Sequence, residues 1–479
     1  MLSIANTTGV SKRFNDSLSK TLCSVSKRKA LVLLILIFGL GGSVSAASVE
    51  CDSCADCAGK LNGNYGEIRL NTSIHNHPGT CITFGAGNVT FDCRGHTIGG
   101  NGTDYGIYTS ENNTKIQNCV IADFYFGIFL GESSNSTVVN NTISSAGNGI
   151  YLGWASNNDI INNTVYSNDI SGIYLDLWCT NNSIANNMVH SNNVSGIYLR
   201  WSTNNGIINN TVYSNNNSGI YLDWNSTSNN LINNNITDNA KNGVYFSSSS
   251  NDNDLTSNSI CENGIDINDS GSNSGDDNTC DTTSNWNDTG AEGCTNCCMH
   301  ALQYNLYKIP NLTGLNLISL PLVPLVPIMT AEDLCNAIPN TETISWWDPI
   351  EQKDKTHTCN LPFTDFPLSP LGGYKVAVSV NTTWTLEGYS IIPEPIDLIT
   401  APNSASLNQI GLPYNSKISP FTAQGLCQNI SNSGTVTRWD PVVQKYKSHT
   451  CNLPFTDFPL SVGGGYMVSV SANTTWTPS

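Results

Sequence analysis

Between Gly106 and Gly264 the chain repeats one phrase. Gly106-Ile-Tyr, Gly127-Ile-Phe, Gly149-Ile-Tyr, Gly172-Ile-Tyr, Gly196-Ile-Tyr, Gly219-Ile-Tyr and Gly243-Val-Tyr recur every 21 to 24 residues. A second phrase, Asn-Thr-Ile/Val or a close variant, follows in step at Asn118, Asn141, Asn163, Asn187, Asn210, Asn234 and Asn258. Two phased phrases per period predict two short strands per repeat. A period of this length fits a leucine-rich horseshoe or a β-helix, and the intervening residues choose between them. They are Asn, Ser, Gly and Asp, as in Ser214-Asn-Asn-Asn217, which favour turns and carry no helical period. Alternation within Gly196-Ile-Tyr-Leu-Arg200 turns Ile197 and Leu199 inward and Tyr198 and Arg200 outward. A single coil cannot bury its own aliphatics. Seven coils should therefore stack about 4.8 Å apart into a rod roughly 35 Å long, with Asn side chains bonded along the axis.

These repeats, together with Asp92-Cys-Arg-Gly-His96-Thr-Ile-Gly-Gly-Asn-Gly-Thr-Asp-Tyr-Gly-Ile107, resemble right-handed parallel β-helix proteins of the pectate-lyase-like superfamily. Within it the chain is most similar to the periplasmic copper-binding, nitrous-oxide-reductase maturation type. The resemblance covers roughly residues 80 to 265 and implies fold far more than activity.

The first 46 residues carry six of the chain's 20 basic residues and one of its 37 acidic ones, which leaves 14 against 36, a net charge of −22. That balance excludes nucleic acid as a partner. Lys27-Arg-Lys29, the apolar run from Ala30 to Leu40 and the small residues up to Ala47 read as a secretory signal over residues 1–47, with an uncleaved anchor as the other reading. Sixteen cysteines follow Cys23, an even number suited to disulfides in an oxidising compartment. Sequons at Asn140, Asn162, Asn209, Asn225, Asn381 and Asn473 are compatible with a glycosylated surface. This composition resembles secreted or envelope proteins of archaea.

The expected class is therefore all-β. A β-helix over residues 48–300 has disulfide-rich caps at both ends, the first built on Cys51, Cys54, Cys57, Cys81 and Cys93 and the second on 265–300. Two tandem small β-sandwich-like modules follow at 310–390 and 402–479, related by an offset of 92, with His357 to Ser369 recurring unchanged as His449 to Ser461. Their cysteines suggest the bridges Cys335 with Cys359 and Cys427 with Cys451.

Outward columns are the place for function, because solenoids bind along a repeated face. The aromatic column includes Tyr151, Tyr174, Tyr198 and Tyr221, with Trp154, Trp201 and Trp224 beside it, two residues past the Leu of their coils, and Trp178 one residue further on. Aromatic rings can seat sugars, or can simply protect the sheet by stacking on one another. Asp176, Arg200 and Asp223 align on successive coils, with His190 on the neighbouring strand column. They are charge-compensating neighbours or, as the resemblance to lyases implies, carboxylates and a cation near a scissile sugar; no lyase motif matches residue by residue. Asp266, Asn268, Ser270, Gly271 and Asp277 follow part of a calcium-loop spacing, without the flanking helices or the terminal Glu. Ca²⁺ there competes with a solvated disulfide loop. The resemblance also asks for copper ligands, for which His75 and His77 are the candidates, in an HxH that would lie on one strand face.

The leading reading is a secreted or cell-surface protein with a structural, adhesive or glycan-binding role, whose partners are polysaccharides or cell-envelope glycans and envelope proteins. The alternatives are a polysaccharide lyase, hydrolase or epimerase, and metal handling.

Overall fold

The computed structural model describes residues 48–479 apart from 311–313, 392–393, 402–405, 415, 417 and 479, so the signal segment lies outside the described residues. Two compact units divide at Cys298 and Met299.

The first is a right-handed parallel β-helix of three sheets with eleven, eight and ten strands. Pairing is in register from coil to coil. Ile150 lies opposite Ile173, Ile173 opposite Ile197 and Ile197 opposite Ile220, all in parallel. These aliphatics fill the interior at 0% exposure, as do Leu152, Leu175, Leu199 and Leu222 one pleat further on. Each such burial contributes at most about 1.5–3 kcal/mol, and repetition makes the sum large.

Two expectations are corrected. Each coil has three strands, not two: between the Gly-Ile-Tyr and Asn-Thr-Ile strands lies a third, such as Thr137–Val139, Asp159–Ile161 or Ser183–Ala185. With three residues and one fully buried aliphatic among asparagines and serines, it reads in sequence as turn. The coil pattern also continues past 265, through Ile265–Asp269, Ser274–Asp276 and Thr283–Ser284.

Asparagines clasp the corners in three internal ladders. The longest runs from Asn141 through Asn163, Asn187, Asn210, Asn234 and Asn258 to Asn278, each Nδ2 donating to the Oδ1 of the next coil. Asn163 Nδ2 also donates to Val138 O, so its buried amide is satisfied on both sides. Asn118 stands one place out of this ladder: Cys119 occupies the ladder position and donates its N–H to Asn141 Oδ1. Asn158 and Asn168 begin parallel ladders. All three end on a carboxylate: Asn278 on Asp288, Asn273 on Asp269 and Asn263 on Asp266. An ionised carboxylate accepts and does not donate, so it can terminate a row of amides that all donate in one direction.

At the N-terminal end, helix α1 (Cys54–Lys60) covers the first coil and is bridged through Cys51–Cys57 and Cys54–Cys81. Cys93 joins Cys119 within the coils. At the other end Cys261–Cys298 and Cys280–Cys294 are bridged. Cys179 departs from the even-number reading: it is a free thiol buried in the coil interior.

The second unit holds two copies of one antiparallel module. Each has a four-stranded sheet, with Thr341–Asp348 and Ser433–Asp440 as equivalent strands, a disulfide (Cys335–Cys359 or Cys427–Cys451) and a helix that the β pattern did not anticipate. Helix α2 (Ala331–Ala337) starts on a capping box of Thr330 and Asp333, and α3 (Ala423–Asn429) on Thr422. The modules meet reciprocally. Trp347 Nε1 donates to Leu407 O at 2.8 Å and Trp439 Nε1 to Leu315 O at 2.7 Å. Gln352 and Gln444 each brace the same carbonyl and N–H from their own side. Because residue i meets j+92 where j meets i+92, this is an isologous contact within one chain.

Candidate functional site

The Gly-Ile-Tyr sheet turns its tyrosines outward. Rings of Tyr151, Tyr174, Tyr198, Tyr221 and Tyr245 follow one another with centroids 4.7 to 5.2 Å apart. The glycine before each strand is required by close approach: a Cβ on Gly196 would lie 2.5 Å from Val212 Cγ1 and 2.7 Å from Gly219 O.

Past the end of this sheet the chain turns through a left-handed residue. Elsewhere at the corners that residue is often Asn or Ser, as at Asn157, Asn181, Ser167 and Ser191. On four consecutive coils a tryptophan takes such a turn, with φ of 51° at Trp154, 62° at Trp178, 46° at Trp201 and 48° at Trp224, although Trp178 follows a second left-handed residue, Leu177, and it is the Leu177 carbonyl that accepts from Trp154 N. Trp178 N donates to Trp201 O and Trp201 N to Trp224 O, which fixes the coil-to-coil order. A left-handed residue other than glycine costs about 1–2 kcal/mol. Burial does not repay it here, since Trp154, Trp178 and Trp224 are 51%, 64% and 53% exposed. Ring centroids lie 6.3 Å apart for Trp178 and Trp201 and 5.5 Å apart for Trp201 and Trp224, spacings of offset rings.

Asp176, Arg200 and Asp223 sit at the junction of the tyrosine and tryptophan columns. Asp176 is buried; its oxygens accept from Tyr151 OH and Leu177 N, and Arg200 Nη1 lies 3.8 Å away. Asp223 accepts from Tyr198 OH at 3.3 Å and Trp224 N at 2.8 Å. Arg200 spreads its guanidinium over Trp201, 4.0 Å from the ring centre, and lies 5.7 Å from that of Trp224, while its Nε is buried without a hydrogen-bond partner. Burial and the neighbouring carboxylate push the Tyr151 hydroxyl up, and burial brings Tyr174 up to about 12, so both remain donors at neutral pH. The arrangement offers apolar ring surface, a fixed cation and carboxylates already engaged by protein donors.

His190 lies on a different sheet, stacked between Tyr166 and Tyr213, and is not brought to the carboxylates. The expected calcium-loop residues follow a coil: Asp266 faces inward and accepts from Asn263, Asp281 and Thr282, Asn268 donates to Asn242, and Asp277 lies beyond the next strand. They do not surround one point. His75 and His77 flank Asn76, a left-handed residue with φ of 52°, so they are not on one strand face as expected.

The sequence profile of the family described as "periplasmic copper-binding protein (NosD)" matches residues 57–164 and 92–297, together just over half of the chain. The chain belongs to the NosD family. No curated protein matches it. Solved structures similar to it include the periplasmic alginate epimerase AlgG, at 20% identity and TM-score 0.31, covering 48% of this chain and 63% of that one. The mannuronan C-5 epimerase A-module of Azotobacter vinelandii is 18% identical with TM-score 0.36, over 48% and 74%. The Dettilon tailspike protein is 14% identical with TM-score 0.42, over 86% and 84%. These similarities concern fold.

A copper site needs converging imidazole, thioether or thiolate donors. In the matched region Met188 and His190 share the outer face of one strand, but the strands on either side offer Thr164, Tyr166, Thr211 and Tyr213 in those places. The cluster of Glu332, Cys335 and His357 lies outside the match, and its sulfur is bonded to Cys359. The donor set of the described residues does not fit copper.

Seven disulfides among the described residues and membership of a family described as periplasmic are the marks of an extracytoplasmic protein. No described helix is long and apolar enough to cross a membrane.

Proposed function

We propose that this chain is an exported glycan-binding β-helix, with the tryptophan column and its Asp176, Arg200 and Asp223 border as the binding face. The observation that carries the reading is left-handed tryptophans on four consecutive coils, three of them, Trp154, Trp178 and Trp224, exposed, a local cost that burial does not offset at those three. Aromatic rings with bordering polar groups suit sugars, which present C–H faces to rings and hydroxyls to carboxylates and guanidinium. The tyrosine column is then the support: its rings pack on one another and its hydroxyls hold the carboxylates. A cleavable signal over residues 1–47 would deliver the chain, and the two C-terminal modules would serve as accessory domains.

The test is affinity electrophoresis of the exported chain through gels containing neutral, amino and uronate polysaccharides, with product analysis in parallel. Retardation by at least one polymer, reduced about tenfold in affinity by Trp178→Ala with Trp224→Ala, is the expected result. No tryptophan-dependent retardation by any polymer overturns the reading. Polymer cleavage or epimerisation abolished by Asp223→Asn would replace it with an enzyme.

A further inference from the structure

The site's charges select among glycans, an inference that rests on the binding reading above. Residues 48–298 carry six Lys and Arg against 24 Asp and Glu, a net charge of −18, and Arg200 is the single basic residue between Lys115 and Lys241. That lone cation stands at the tryptophan ladder between two carboxylates one coil away on either side, with Asp176 at 3.8 Å and Asp223 opposite it in the strand register. A uronate or sulfated polymer laid along this face would bring further anions to a border with two carboxylates for one guanidinium, on a rod that repels polyanions as a whole. An amino-sugar polymer meets the opposite obstacle: the cation seat over Trp201 and Trp224 is already filled by Arg200.

What remains is a ligand whose groups both donate and accept without charge. A hydroxyl can accept from the partly exposed guanidinium of Arg200 and donate to Asp223. Spacing adds a constraint. The rings of Trp178, Trp201 and Trp224 follow one another at 6.3 and 5.5 Å, and an extended β-linked hexose chain advances by a step of similar size per sugar. We propose that the Trp178, Trp201 and Trp224 ladder takes a neutral, extended β-linked hexose polymer lying along the rod axis, one sugar per coil, and discriminates against uronate and amino glycans.

Calorimetric titration of the full exported chain with β-1,4-linked glucose or mannose oligomers, a galacturonate or alginate hexamer and a chitosan hexamer tests this. The neutral oligomers should bind with affinity that rises up to about three sugars and then levels, and that changes less than about twofold between low and high salt. Trp178→Ala with Trp224→Ala should weaken it about tenfold or more. Asp223→Asn should improve binding of the uronate hexamer relative to the parent chain. Tighter, tryptophan-dependent binding of the uronate or chitosan hexamer overturns the selectivity while leaving glycan binding intact. Failure of every probe to bind in a tryptophan-dependent way removes both.

Discussion

The rod from Ser48 to Cys298 repeats by translation, whereas the unit from Met299 to Ser479 repeats by reciprocal contact of two copies. In the rod, each coil offers its neighbour the same surface it receives, so nothing in the repeat itself ends the stack. A capping helix at one end and disulfides at both supply what the repeat lacks. In the pair, the Trp347 and Trp439 edges satisfy one another and the contact is closed after two copies. The difference bears on function. Translation lines identical positions into columns that can seat a polymer, while closure uses the repeated edge up.

Breaking the rod should have the larger effect. Asn187→Ala removes the acceptor used by Asn163 N and Nδ2 and the donor used by Ile160 O, leaving buried groups unpaired. It should destabilise the first unit by about 3–5 kcal/mol, read by denaturant unfolding. Hydrogen exchange should report opening of coils on both sides of the change and none in residues 299–479. In the closed pair, Trp347→Ala and Trp439→Ala should each cost about 2 kcal/mol. Near-equal single values would express the reciprocity, and a large inequality would break the comparison.

A smaller effect tests how far the two modules remain equivalent. His357 Nε2 meets Glu332 Oε2 at 2.6 Å, while His449 Nε2 meets Gln424 Oε1 at 2.8 Å in the second copy. Since the second copy already uses the amide, Glu332→Gln should change thermal stability by less than about 1 kcal/mol. The smallest effect belongs to His190, whose pKa burial lowers from 6.5. The folded chain prefers the neutral ring, so its contribution is complete above pH 6.5 and is lost as pH falls from there through the lowered value. His190→Gln should flatten the fall of melting temperature below pH 6.5, by an amount equivalent to under about 1 kcal/mol.

Much of the rod was legible because its side chains alternate with a fixed period. Ile107, Ile150 and Ile197 announce an interior column, and Tyr151 and Tyr174 an outer one. The third strand was not legible, because Ser183-Ile-Ala185 has one interior aliphatic and no alternation to detect. Trp201 could not be placed from sequence because it follows the strand end, where backbone φ sets direction. The cue was available all the same: tryptophan stands where asparagine or serine usually turns the corner. Helix α2 was signalled by Thr330-Ala-Glu-Asp333, a capping pattern outweighed by the surrounding β texture. Counting cysteines could not reveal Cys179, whose thiol burial pushes up to about 12, since parity says nothing about which sulfur faces a core.

The carboxylates of Asp266, Asp269 and Asp288 give the rod a direction as well as an end. Every amide in a ladder donates an N–H forward, and the carboxylate accepts that bond with no proton of its own to donate onward. All three carboxylates are themselves buried, so each row of amides is closed within the unit before it reaches solvent.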